Sequence, residues 1–119
     1  GGGSAAGPKD EEIGGIAFSG QVLEGLNAKE LRPLLDETKT RMGSGIAAAV
    51  AINDGRATFA VAVTDDLTER FDAVALVRLG VEALGGKGGG GRPDMAQGGG
   101  PDVSKATDAL DAVRAAIAG

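Results

Sequence analysis

A glycine-rich segment, residues 85–100, holds the side chains whose chemistry is most readily interpreted. Nine of its sixteen residues are glycine, so few other side chains surround its two cations, Lys87 and Arg92. Glycine has no Cβ, and its backbone N–H groups can therefore come close to another molecule. Two cations among such amides are suited to holding a phosphate or a sugar. The alternative, a flexible linker, is less suited to a segment that contains the apolar residues Met95 and Ala96.

Two other patterns resemble sites of known chemistry but fit them poorly. Lys87 lies in a Gly-Gly-Lys-Gly sequence, whereas the phosphate-binding loop of nucleotide-binding proteins has Ser or Thr after its lysine and runs from a strand into a helix. We therefore do not expect ATP to bind there. Asp65 and Asp66 are candidates for metal ligands or for an acid–base pair. A polar turn before a helix, whose N-terminal dipole favours carboxylates, is the preferred interpretation.

Three further residues each have a functional and a structural interpretation. Gln97 either contacts a base or a ribose 2′-hydroxyl, or bonds the backbone within a turn, and the sequence leaves both open. Met95 follows Pro93 by two positions and is predicted to fill the core rather than to touch a ligand. Arg41 falls in the last turn of a predicted helix, where its charge complements the helix dipole.

The composition excludes several classes of function. The 119 residues contain neither cysteine nor histidine, which rules out thiolate and imidazole metal sites and histidine acid–base catalysis. The absence of cysteine also fits a reducing compartment, and we expect a cytoplasmic protein. Because no apolar run approaches ~18 residues, we expect neither a membrane span nor a signal peptide. A net charge of −5 argues against a general nucleic-acid binder, so any RNA contact has to be local.

The hydrophobic pattern predicts one mixed α/β domain. We expect a small mixed sheet with an antiparallel hairpin and about three helices, in the order β-α-β-β-α-(β)-α. Residues 1–12 have no hydrophobic pattern and are interpreted as a flexible linker or an expression remnant. The domain is therefore assigned to residues 13–119.

One hairpin is strongly predicted. Apolar runs at residues 46–52 and 57–63 flank the sequence Asn-Asp-Gly-Arg at residues 53–56, which is typical of a tight antiparallel turn. Both runs lack polar alternation, which indicates strands in the centre of a covered sheet. The glycine-rich segment is predicted to be a loop, with room for a short strand around residues 95–97.

Three helices are predicted from their ends and their apolar spacing. Asn27, with Glu30 three residues later, resembles a helix N-terminus, and Pro33 restricts the regular helix to the residues around and after it. Residues 68–84 are apolar nearly all round, so this second helix is expected to be largely buried. Asp102 is suited to capping a third helix.

Three segments together resemble a known domain. They are residues 18–45, FSGQVLEGLNAKELRPLLDETKTRMGSG, residues 53–73, NDGRATFAVAVTDDLTERFDA, and the glycine-rich segment, in that order. They resemble the DHH-associated domain, also called C-Ala, at the end of bacterial alanyl-tRNA synthetases. The chain departs from the family's pattern in having four glycines between Lys87 and Arg92 instead of three. The relative placement of these two cations is therefore open.

The resemblance implies a role in holding tRNA. In the family, this domain binds tRNA-Ala towards its outer corner and couples aminoacylation to editing, while ATP, Mg and Zn serve other domains of the same synthetase. The fragment itself is then expected to be non-catalytic, to hold no cofactor and to be monomeric. The residues that the resemblance assigns to tRNA binding are Lys87, Gly88, Gly89, Gly90, Gly91, Arg92 and Gln97.

Two other functions remain open from the sequence. The DHH-associated domain also binds substrate phosphates in manganese-dependent exonucleases and phosphoesterases, whose loop usually carries histidine among its glycines. This chain has no histidine, and the sequence RPDMAQ favours the synthetase. A free-standing interaction domain without an RNA role is the third alternative, which the acidic balance allows.

Overall fold

The computed structural model describes the backbone of residues 9–119 and the side chains of residues 11–119. Six strands form one sheet in the order β1-β2-β3-β4-β6-β5, and three helices cover its two faces. The elements are β1 (Lys9–Ile13), β2 (Ile16–Glu24), α1 (Leu31–Met42), β3 (Ile46–Asn53), β4 (Arg56–Val63), α2 (Ala73–Ala83), β5 (Gly90–Arg92), β6 (Met95–Gly100) and α3 (Ala106–Ala118). The predicted mixed α/β class is confirmed, with two strands, β1 and β5, that were not predicted.

The predicted hairpin lies at the centre of the sheet. β3 and β4 pair antiparallel from Ile46 opposite Val63 to Asn53 opposite Arg56. Asp54 and Gly55 make the turn with φ values of 52° and 74°, the left-handed conformation that tight hairpin turns require. The prediction for this part of the chain is therefore confirmed.

The first strand overlaps the segment interpreted as a linker. β1 pairs antiparallel with β2 at one edge of the sheet and includes residues 9–12. Charged side chains such as Glu11 and Glu12 are common on edge strands, where they discourage pairing with other chains. For this reason β1 has no hydrophobic alternation that sequence analysis would detect. Residues 1–8, the rest of the predicted linker, lie outside the described residues.

The two faces of the sheet carry side chains of different size. The α2 and α3 face buries large residues, among them Phe18, Phe59 and Val61. The α1 face presents mainly alanines from β3 and β4, on which Leu31 and Leu35 of α1 pack. Because α1 is the single helix on this face and packs on β3 and β4, part of the α1 face beside β5 and β6 remains accessible.

The helices begin later than their sequence signals. Asn27 caps a short 3-10 turn at residues 28–30, and Pro33 lies in the first turn of α1, where its missing N–H has no intrahelical partner. The second helix begins at Ala73, because residues 65–67 form a separate 3-10 turn and Asp72 caps the helix. Asp102 caps a 3-10 turn that leads into α3.

The second helix is not largely buried, contrary to the prediction. It buries one face, whereas Leu79 on the opposite side remains 42% exposed. Gly80 lies on the buried face, where a Cβ would overlap the ring of Phe59. The lack of a side chain at this position lets α2 approach the sheet closely. No helix in the described part of the chain is long and apolar enough to cross a membrane.

Candidate functional site

The glycine-rich segment forms a β-hairpin in place of the predicted loop. β5 pairs antiparallel with β6 through Gly90 opposite Gln97, Gly91 opposite Ala96 and Arg92 opposite Met95, and β6 pairs in turn with β4. Glycine lacks the side-chain pattern that identifies strands in a sequence, but its backbone can join a ladder wherever a neighbouring strand is available. The strand expected near residues 95–97 is confirmed and extends to Gly100.

The turn of this hairpin is fixed to the rest of the domain. The carbonyl of Pro93 accepts a hydrogen bond from the N–H of Ala73 at 2.9 Å, and the carbonyl of Asp94 accepts one from the N–H of Val63, also at 2.9 Å. Met95, which follows the turn, is 3% exposed and packs on the alanine face. Its predicted place in the core is confirmed. The hairpin is therefore a rigid platform at the edge of the sheet.

Several glycines of the hairpin are required by close backbone packing. A Cβ at Gly86 would overlap the carbonyl oxygen of Gly99, and one at Gly100 would overlap that of Leu84. A Cβ at Gly98 would lie 2.7 Å from Val81 of α2. Much of the glycine content thus serves the fold and not a ligand.

The two cations of the segment lie on either side of the first β5 residues: Lys87 precedes the strand by three residues, and Arg92 is its last residue. Lys87 is exposed and has no ionic or hydrogen-bonding partner among the described residues. The side chain of Arg92 is 70% exposed, and its Nε lies 3.5 Å from Oδ1 of Asp94. Arg92 lines the cavity described below, whereas Lys87 is not among its lining residues. Each is available to a different group on a larger ligand.

A third cation, missed by sequence analysis, lies beside Arg92. Arg32 and Pro33 from the first turn of α1, together with Asp36, Arg92 and Met95, line an open cavity of about 490 Å³. Arg32 is exposed and has no partner among the described residues. Nothing in the sequence connects Arg32 with a hairpin sixty residues later, because their proximity depends on the order of strands in the sheet.

Gln97 lies in the middle of β6, not in a turn. Its side chain is half-buried and on the same face as Met95, since alternate residues of a strand share a face. The side-chain amide makes no hydrogen bond with any described residue. Of its two interpretations, backbone bonding in a turn is therefore wrong, and contact with a ligand remains.

The two aspartates before α2 lie in a polar turn, as expected, and Asp66 is held there by hydrogen bonds. Asp66 accepts hydrogen bonds from the hydroxyls of Ser44 at 2.5 Å and Thr64 at 2.6 Å, and Thr64 Oγ1 accepts one from the N–H of Gly45. This network joins the loop after α1 to the end of β4. Within the described residues, no group of three or more acidic side chains is arranged to hold a metal ion.

The Asp66 network predicts a pH-dependent stability. The hydrogen bonds from Ser44, and then from Thr64, lower the pKa of Asp66 below its usual 3.8. A lowered pKa in the folded state stabilises the protein above the unfolded pKa, and the stabilisation disappears as the pH falls through the folded value. We expect Asp66→Asn to lower the melting temperature at pH 7, and the difference from the parent to shrink as the pH falls below 3.8 and through the lowered pKa. Thermal denaturation over this pH range measures it.

The neighbouring carboxylate is a matched control for this experiment. The side chain of Asp65 has no hydrogen-bonding partner among the described residues, so Asp65→Asn should leave the melting temperature unchanged. Equal effects of the two substitutions at pH 7, or a difference for Asp66→Asn that persists in acid, would contradict the role given to the network.

The sequence is similar to a defined family and to its curated members. The DHHA1 domain family model matches residues 15–119. The alanine–tRNA ligase of Sphingopyxis alaskensis is 59% identical over 117 residues, which cover 98% of this chain and 13% of that protein. The alanine–tRNA ligase of Chelativorans sp. (strain BNC1) is 55% identical over 120 residues, which cover 100% of this chain and 14% of that protein. The chain thus spans a small part of the length of these relatives.

Two solved structures superpose on this fold. The C-Ala domain of Aquifex aeolicus alanyl-tRNA synthetase superposes with a TM-score of 0.87 at 28% identity, covering 93% of this chain and 99% of that one. A DHH-domain structure from a family of ribosomal proteins superposes with a TM-score of 0.60 at 19% identity, covering 93% of this chain and 28% of that one. The second likeness concerns the fold alone. The relatives do not favour the exonuclease or phosphoesterase alternative.

Proposed function

The chain belongs to the DHHA1 domain family, and from this premise we propose that it is the C-terminal tRNA-binding domain of an alanine–tRNA ligase. Its resemblance to the C-Ala domain, first seen in the sequence, is confirmed. In the proposed function, the domain holds tRNA-Ala and helps to couple aminoacylation to editing. The ligation and editing reactions, with ATP, Mg and Zn, belong in this proposal to other domains of a longer cytoplasmic protein.

The arrangement around the hairpin is the observation that supports tRNA binding. Among the described residues, Arg32 and Arg92 line one cavity, Lys87 is unpaired three residues before β5, and the side-chain amide of Gln97 is free. These three cations outnumber the two carboxylates beside them, Asp36 and Asp94, by one, whereas the whole chain has a net charge of −5. Local charge of this kind is suited to a few phosphate contacts and not to a wide basic groove.

The aromatic residues are not placed for base stacking. Phe18 and Phe59 are fully buried in the core, and Phe71 is half-buried with the guanidinium of Arg70 5.4 Å from its ring centre. Proteins that bind single strands usually stack bases on exposed aromatic rings. We therefore propose that this domain recognises the backbone and shape of folded tRNA.

The salt dependence of tRNA binding tests this proposal. Each neutralised phosphate contributes roughly −0.7 to −0.9 to the slope of log K against log[salt]. With two or three of the cations Lys87, Arg92 and Arg32 engaged, we expect a slope of about −2 to −3. Titrations of the chain with tRNA-Ala at several salt concentrations, followed by fluorescence anisotropy, measure it.

A non-cognate tRNA is the comparison for these titrations, because recognition of shape predicts similar slopes for both. A slope near zero would contradict phosphate contacts and leave the hairpin as a structural or protein-binding element. A slope beyond about −6 would require a much wider cationic surface than this chain has.

A further inference from the structure

The cavity between α1 and the hairpin brings together two guanidinium groups from distant parts of the chain. Arg32 has no partner among the described residues, and the single ionic contact of Arg92, with Asp94, is 3.5 Å long and largely exposed. Asp36 also lines the cavity but lies within 4.0 Å of neither guanidinium. The planar guanidinium group is suited to bidentate hydrogen bonding with phosphate. The cavity lining thus has two guanidinium groups and one carboxylate, a balance that favours an anion.

The accessible surface continues from this cavity along β6 to Gln97 and its cross-strand partner, Gly90. Side chains of directly opposed residues on two strands lie about 5 Å apart, so any side chain at position 90 would stand next to the Gln97 amide. The fold does not require glycine at position 90, since its φ is not in the left-handed region and a Cβ there would have nothing within 4 Å. The missing side chain leaves the Gln97 amide accessible from solvent.

We propose that this strip, formed by Arg32, Arg92, Gln97 and Gly90, binds one phosphate–ribose unit of an RNA strand. The phosphate lies between the two guanidinium groups, the ribose lies over Gly90, and its 2′-hydroxyl bonds the Gln97 amide. This inference rests on the proposed tRNA binding, and it assigns the contacts with the phosphate and the ribose to particular side chains.

The spacing and the chemistry of the strip agree with such a unit. The Cα atoms of Arg92 and Gly90 are about 6.6 Å apart along β5. With the added reach of the Arg92 side chain, a phosphate and the 2′-hydroxyl of an adjoining ribose can be contacted at the same time. An amide both donates and accepts hydrogen bonds, as does the 2′-hydroxyl. Because DNA lacks this hydroxyl, the strip gives the domain a means of distinguishing RNA from DNA.

Binding of the tRNA-Ala transcript and of a DNA strand of the same sequence tests the role of Gln97. One neutral hydrogen bond corresponds to about a fivefold preference for RNA in the parent chain. Gln97→Ala should reduce this preference by about that factor, through weaker RNA binding with DNA binding unchanged. Equal losses for RNA and DNA, or no preference in the parent, would overturn the assignment of the 2′-hydroxyl to Gln97.

The roles of Gly90 and Arg32 have separate tests. Gly90→Val should weaken tRNA binding by about fivefold with little change in melting temperature, because its Cβ has nothing within 4 Å while its branched end lies next to the Gln97 amide. Arg32→Gln should reduce the size of the salt slope by about 0.8, the contribution of one phosphate. Lys39→Gln, two turns further along α1, is the matched control and should leave the slope unchanged.

The outcomes separate this inference from the proposed function. If the parent chain binds tRNA-Ala with the expected salt slope, but the variants of Gln97, Gly90 and Arg32 all bind as the parent does, the strip is not the RNA site and tRNA binding stands. If the parent does not bind tRNA-Ala, both are overturned. Weaker binding by all three variants, with the Lys39 variant unaffected, supports the strip.

Discussion

Alanine in place of Gly86 is expected to lower the free energy of unfolding by about 3 kcal/mol and the melting temperature by about 10 °C. The new Cβ would overlap the carbonyl oxygen of Gly99 and lie 3.0 Å from the Cα of Gly100. These are backbone atoms of β6, which is paired with β4 and cannot move away without loss of ladder hydrogen bonds. Calorimetry or urea denaturation measures the loss.

Gly90→Ala is the matched control, since it makes the same chemical change four residues away. Its Cβ would meet nothing within 4 Å, so its melting temperature should equal that of the parent. A Gly86→Ala variant as stable as the Gly90→Ala variant would show that the segment before β5 is free to move away from β6. The close packing described for the hairpin would then be wrong.

Reversal of both hairpin cations should weaken tRNA binding by about tenfold to a hundredfold near 0.1 M salt. At about 4 Å in water, a pair of unit charges interacts with about 1 kcal/mol, and Lys87→Glu with Arg92→Glu replaces two attractions with two repulsions. Salt screening reduces the total to the range given. The folded state should change little, because both side chains are exposed and Arg92 makes one surface ion pair. Anisotropy titration with tRNA-Ala measures the effect.

A variant with the same net charge separates a local effect from a general one. Lys9 lies in β1, at the opposite edge of the sheet from β5, and Lys39 lies near the end of α1. Lys9→Glu with Lys39→Glu should weaken tRNA binding much less than the hairpin variant. If the two double variants lose affinity equally, tRNA responds to the total charge of the domain and the hairpin is not the binding site.

Sequence analysis predicted well the elements whose own side chains indicate whether they are buried and where they turn. The central hairpin was identified because continuous apolar runs flank an Asn-Asp-Gly turn, and the burial of every residue from Ile46 to Ala51 confirms it. The start of α1 followed from Asn27 and Pro33, whose effects act on neighbouring backbone groups. Such signals depend on neighbouring residues alone. They predict the structure correctly here because the tertiary packing favours the same local conformations.

The candidate site could be predicted in part only. Lys87, Arg92 and Gln97 were selected from the sequence, since unusual residues among glycines are conspicuous. β5 was not predicted, because the three residues Gly-Gly-Arg have no apolar alternation and form a strand only by pairing with β6. Arg32 was missed for a related reason: it shares a cavity with Arg92 because β6 lies beside β4, which is a property of the whole sheet.

The position of β1 at one edge of the sheet and of β5 at the other has a mechanical consequence. Five strand spacings of about 4.8 Å separate them, roughly 24 Å in all, and a pull between the two edges acts across the strands. The hydrogen bonds of antiparallel pairs point in this direction, so tension opens them one after another, as in a zipper, instead of shearing them together. Because every strand pair in the row carries the same tension, the pair of β5 with β6, which joins three residues, should open before that of β1 with β2, which joins five and is reinforced by the ion pair of Glu11 with Arg114 of α3. Under tension across the strands, the sheet is thus weakest at the edge that carries the glycine-rich hairpin.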